Sequence, residues 1–128
     1  MTTPFWCLFI VALLPFVWSF AAAAERKRQL GAIDNKYPRL QQAKLEGLGA
    51  RLMGAHQNAW EALALFTPAV AVSHLAGAEP GRAAMLSLVF VAARVAHGAA
   101  YAANLDLVRS AAFLVALGCV IWLFLLGG

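Results

Sequence analysis

Between Thr3 and Ala24 the chain carries no charged residue. A helix needs about 20 apolar residues to cross the roughly 30 Å hydrocarbon core of a bilayer, and this run is long enough. Three further stretches, over about 47–75, 82–103 and 106–126, are also mainly apolar. Charge is gathered between the first and second of these runs. Of the 10 Lys and Arg residues, six lie there: Arg26, Lys27, Arg28, Lys36, Arg39 and Lys44. Hydrophobic residues make up 62% of the chain and charged residues 12%, against roughly 45–50% and 25% in soluble domains. Too little charge remains to coat a globule, so lipid is the expected solvent. The same composition excludes disorder, which needs low hydrophobicity and high charge. The expected fold is all-α: an integral membrane four-helix bundle forming a single domain over residues 1–128. Residues 25–46 read as a basic loop, with Gly31, Asn35 and Pro38 interrupting any helix.

The first run competes with a signal peptide, because Ala21–Ala24 resembles a small-residue cleavage site. No Lys or Arg precedes the run, however, and the cluster Arg26, Lys27, Arg28 follows it. That order favours a retained helix. Positive loops stay in the cytoplasm, so the basic loop and the 104–106 turn face the cytoplasm and both termini lie outside. The protein is then multi-pass, in the inner membrane if the source is bacterial. Asp106 reads as an N-cap for the last helix. The net charge of +4 is accounted for by this loop, and no nucleic-acid partner is expected.

Ionisable groups inside a bilayer are costly and usually face a bundle interior, a cavity or a partner. The second span holds Arg51, His56, Asn58 and Glu61, the third holds Arg94, His97 and Tyr101, and Arg109 opens the fourth. All eight fall in the cytoplasmic halves of their spans, which reads as a site facing the cytoplasm. At about 100° per residue, Arg51, Asn58 and Glu61 share a quadrant of their helix, and Arg94, His97 and Tyr101 share another face. His56 points away from the first group. It must reach another helix or a neighbouring chain, and if it binds the same ligand the site lies between subunits. Three arginines against one buried acid, Glu61, leave positive charge without a partner. A small anionic ligand would balance it, since guanidinium pairs well with carboxylate. Lipid would deliver a lipophilic co-substrate.

Blander roles stand beside these. Arg51 or Arg94 would pair with Glu61 as interhelical glue. Tyr101 and Trp60 would be interfacial aromatics, and Arg109 would snorkel to headgroups. No metal site is expected from three histidines without paired acids. Cys7 and Cys119 lie in apolar runs, and neither a disulfide scaffold nor a zinc motif can be built from them.

Two motifs resemble a known family. Ala55-His56-Gln57-Asn58-Ala59-Trp60-Glu61, followed by Leu63, Leu65 and Phe66, is similar to the second-helix signature of the membrane-associated proteins in eicosanoid and glutathione metabolism, the MAPEG family. Arg94-Val95-Ala96-His97-Gly98-Ala99-Ala100-Tyr101, with Arg109 beyond it, resembles the third-helix signature. The resemblance implies a homotrimer that binds glutathione between subunits. It implies a glutathione-dependent transferase or peroxidase acting on lipophilic electrophiles or lipid hydroperoxides. By motif position, Arg51, His56, Asn58, Glu61, Arg94, His97 and Tyr101 would bind the cofactor. Arg109 would stabilise the thiolate, with Tyr101 donating a hydrogen bond to sulfur. Arg26 or Arg28 would reach a glutathione carboxylate. One departure stands out: Gly54 occupies the position where active eukaryotic members carry an arginine, and Arg51 matches a different, upstream one. The alternative is a non-catalytic membrane protein whose polar cluster serves trimer assembly or small-ligand binding.

Overall fold

The computed structural model describes residues 1–127. The described chain is all-α, with five helices: α1 (Thr3–Leu30), α2 (Pro38–Gln42), α3 (Gly47–Leu75), α4 (Pro80–Ala102) and α5 (Asp106–Leu126). Four are long. At about 1.5 Å per residue they reach roughly 30–45 Å. By length and apolar composition α1, α4 and α5 are fit to cross a membrane. Helix α3 is as long, at 29 residues, but Arg51, His56, Gln57, Asn58 and Glu61 lower its mean hydropathy. It packs against α1, α4 and α5.

The basic segment is more helical than expected. Helix α1 continues through Ala21–Ala24 and on to Leu30. The cause is local. Ala, Glu, Arg, Lys, Gln and Leu are the strongest helix formers, and Glu25 bonds Arg28 at 2.6 Å and Gln29 at 3.0 Å along one face. Gly31 then stops the helix at φ 82°, and its N–H caps the Lys27 carbonyl. Pro38 does not break a helix but begins one, the short α2. The segment is tied back by Arg26, which is only 6% exposed. Its Nε and Nη2 donate to Gln41 Oε1 at 3.0 and 2.7 Å, and Nη2 also reaches the Asp34 carbonyl at 3.2 Å.

The expected cap at Asp106 does not form. Leu105 occupies the N-cap position, and Asp106 is the first helical residue, with no side-chain cap. Asn104 turns the chain at φ 60°, which moves the boundary by one residue. The Asp106 carboxylate still lies in the first turn, beside the positive end of the helix dipole. The cap that does form is on α4, where Glu79 accepts from Gly81 N at 2.7 Å and Arg82 N at 2.8 Å. Those two amides hold its carboxyl below the usual range.

The core follows one plan, with small residues bringing helices close and a few aromatics filling the gaps. Phe66 and Phe90 stack between α3 and α4, 4.0 Å apart and nearly parallel. Gly98 lets the Trp18 indole of α1 lie directly on α4, in space a Cβ would occupy. In lipid such contacts carry much of the association energy, because tails are as apolar as the side chains.

Candidate functional site

Six of the eight polar residues form one continuous chain across α3, α4 and α5. Glu61 Oε2 accepts from Asn58 Nδ2 at 3.1 Å. Asn58 Oδ1 accepts from Arg94 Nη2 at 2.6 Å, and its carbonyl accepts from the same nitrogen at 3.3 Å. Arg94 Nη2 lies 3.4 Å from His97 Nδ1. The His97 ring meets Tyr101 edge to face at 5.8 Å, and the Arg109 guanidinium lies over the Tyr101 ring at 4.5 Å. Spacings of three and four residues on α4 put Arg94, His97 and Tyr101 in line. Since a guanidinium only donates, the bond to His97 requires the Nδ1 lone pair, and the neutral ring then carries its proton on Nε2.

The other two residues leave this chain. Arg51 donates from Nε to the Ala102 carbonyl at 3.0 Å. It thereby caps the last turn of α4, where a cation also suits the helix dipole. His56 turns to α1 and contacts the Pro15 carbonyl at 2.8 Å through Nδ1. A carbonyl only accepts, so Nδ1 carries the proton and Nε2 is left as a free acceptor. His56 thus reaches another helix, one of the two outcomes its angular position left open.

Two cavities are lined by polar residues of the sequence-predicted site on α3. One of about 200 Å³ is lined by Asn58, Glu61, Leu65, Phe90, Arg94 and Phe113, among others. It is an apolar slot with polar groups at one end. The other, about 530 Å³, lies by α2 and is lined by Pro38, Arg39, Gln42, Met53, His56, Gln57 and Trp60. Asn58 and His56 therefore serve opposite sides of their helix. Arg51, Tyr101 and Arg109 line neither cavity and gather instead by the α4–α5 turn.

The charge balance corrects one expectation. Glu61 is exposed on the single chain, not buried. Neither Arg51 nor Arg94 pairs with it. Among the described residues the ion pairs are Arg28–Glu25 at 2.6 Å and Arg82–Glu79 at 3.9 Å, both outside the polar chain. Arg94 and His97 are each only 3% exposed. A buried guanidinium is thus met by uncharged partners alone, the two Asn58 oxygens and His97 Nδ1, and Arg109 by a π face. The basic segment is also more committed than expected: Arg26 is buried against Gln41, and Arg28 is paired with Glu25.

Sequence reasoning missed one participant. Phe113 lies four residues beyond Arg109 on α5, touches the His97 ring at 6.5 Å and lines the smaller cavity; helical spacing alone points to it. Gly54 stood out in the sequence, but what occupies its missing side chain's place did not. A Cβ built there would sit 2.5 Å from the Tyr101 hydroxyl, so Tyr101 lies in the space that a side chain at 54 would fill. No sequence signal shows this.

An all-α chain of this size, with membrane-length apolar helices and a buried arginine–histidine–asparagine network, is a small helical membrane protein with ionisable groups held inside its bundle. More specifically, it belongs to the MAPEG family, whose model matches residues 3–128. That places it among the membrane proteins of glutathione-transferase and eicosanoid metabolism. No curated protein and no solved structure matches the chain.

Proposed function

We propose that this protein is a glutathione-dependent transferase or peroxidase acting on lipophilic electrophiles or lipid hydroperoxides. The observation that carries this reading is the Glu61–Asn58–Arg94–His97–Tyr101–Arg109 chain, in which no arginine is neutralised by a carboxylate. A buried cation without a counter-ion favours an anionic guest. Glutathione fits that donor set, because its carboxylates suit guanidinium and its amine suits Glu61. Bound glutathione supplies a thiolate nucleophile or reductant. Arg109 lowers the cost of ionising the thiol, since an adjacent cation favours the thiolate. Tyr101 has a hydroxyl with no protein partner among the described residues and is free to donate to sulfur. Asn58 and Arg94 hold polar groups of the peptide, with His97 fixing the Arg94 fork. Arg51 anchors the end of α4, and His56, tied to α1 through Nδ1, lines the second cavity.

α3 is a fourth span, shielded by α1 and α5, and the polar chain faces the cytoplasm with the basic segment, as the positive-inside rule requires. Three copies assemble so that the exposed Glu61 rim of one subunit meets another. Exposed Ala92, Ala96 and Ala99 on α4 allow close helix approach.

The test is calorimetry with glutathione on protein in detergent, together with conjugation of a hydrophobic halo-aromatic. Binding and turnover are expected. Arg109→Ala should lower turnover at least tenfold while changing glutathione affinity by less than about threefold, because thiolate stabilisation is a transition-state term. Equal loss of both would remove the thiolate role. No binding at millimolar glutathione would instead favour a non-catalytic protein whose polar chain serves assembly.

A further inference from the structure

Resting on the thiol reading above, we propose that Gly54 is a positioning residue: its missing side chain seats Tyr101, and with it Arg109, where the thiol is ionised. The contact is close. An ideal Cβ at Gly54 lies 2.5 Å from the Tyr101 hydroxyl oxygen, 2.6 Å from Cζ and 2.8 Å from Cε1. Any side chain at 54 and this placement of Tyr101 exclude one another. Backbone freedom is not the reason for glycine here, because Gly54 lies inside α3 and has no positive φ. Glycine is a poor helix former at such a position, so what it contributes is space.

The phenol is then held on several sides. The α3 backbone lies beneath it at Gly54, the Arg109 guanidinium covers its face at 4.5 Å, and the His97 ring touches it at 5.8 Å. Arg51, one helical turn before Gly54, bonds the Ala102 carbonyl and ties the residue after Tyr101 to the same stretch of α3. Arg109 is moreover in the first turn of α5, where a cation opposes the helix dipole; the Tyr101 face is what receives it. Moving the ring off Gly54 therefore moves the cation too. The space beside Gly54 is thus filled by a phenol that carries the α5 guanidinium on its face.

The experiment uses the full chain in detergent with glutathione as the probe. Thiolate formation is read by ultraviolet absorbance across pH. The rings of the two tyrosines, Tyr101 and the loop residue Tyr37, are read by selectively labelled NMR. Gly54→Ala should shift the Tyr101 signals and leave those of Tyr37 in place. The midpoint of thiolate formation should rise by about one pH unit, a tenfold loss of thiolate below it, with glutathione affinity held within about threefold. In a Tyr101→Leu background Gly54→Ala should add nothing. If Gly54→Ala alone does not fold, the double variant, free of the overlap, must titrate like Tyr101→Leu. A wild-type thiolate signal that Gly54→Ala leaves unchanged, or a Gly54→Ala effect that persists without the Tyr101 ring, overturns this inference alone. Absence of any thiolate signal in the wild type overturns the thiol reading and this inference together.

Discussion

The guanidinium of Arg94 is almost fully buried, yet its partners are an amide, a peptide carbonyl and an imidazole. Asn58 is the pivot. Its Oδ1 faces Arg94, and its NH₂ faces Glu61, so one side chain spaces a cation from an anion that would otherwise close into an ion pair. An amide cannot neutralise the charge, which is why the proposed guest is an anion. Asn58→Leu would strand the buried guanidinium; the expected loss is about 2–3 kcal/mol, the worth of a hydrogen bond to a charged group. Thermal unfolding in detergent checks it. Glu61→Gln should be close to neutral in the same measurement, because its neighbour's NH₂ keeps an acceptor. Comparable losses from both would make the Glu61 carboxylate, not the Asn58 amide, the stabilising partner. These pairings were only partly legible in the sequence. Helical angles put Arg51, Asn58 and Glu61 together and set His56 apart, and the structure keeps His56 apart. It also separates Arg51, whose guanidinium finds a helix end that no angular argument on a single helix could supply.

At the scale of elements, the informative piece is the end of α1. Read by charge, residues 25–30 belong to a loop; read by propensity, they belong to a helix, and propensity wins once Glu25 gains its partners on the same face. The Arg28 and Gln29 side chains hold the Glu25 carboxyl down from 4.5 to about 2. A carboxyl depressed in the folded state stabilises the fold above its unfolded value, and that stabilisation is lost as pH falls towards the folded value. The Glu25 contribution should be constant above about pH 5 and should decline between 4.5 and about 2. The difference in melting temperature between the wild type and Glu25→Gln, followed through this window, should shrink on acidification. A difference that stays constant would place the stabilisation elsewhere. The adjoining short helix was not legible at all. It depends on Arg26 meeting Gln41 across 15 residues, and nothing local in either residue announces the other.

For the whole molecule, the single chain buries the middle of the polar network and leaves its acidic end open. Arg94 and His97 are enclosed, and Glu61 is exposed on a helix flanked by others of membrane length. A carboxylate in that setting favours a protein neighbour. The proposed trimer makes a direct prediction. Amine- and carboxyl-reactive cross-linking in native membranes should give species up to three chains and no larger, and mass measurement in detergent should give three copies. Monomers throughout would leave Glu61 facing lipid and remove the shared site. What the sequence determined by itself is the membrane setting and the all-α fold class. Those follow from a one-dimensional property, because in lipid each helix satisfies its own backbone bonds and apolar length decides whether it crosses. Only the tertiary structure decided which polar groups meet. That depends on how each helix is rotated against its neighbours, and the rotation is set by close contacts such as Tyr101 on Gly54 and Trp18 on Gly98.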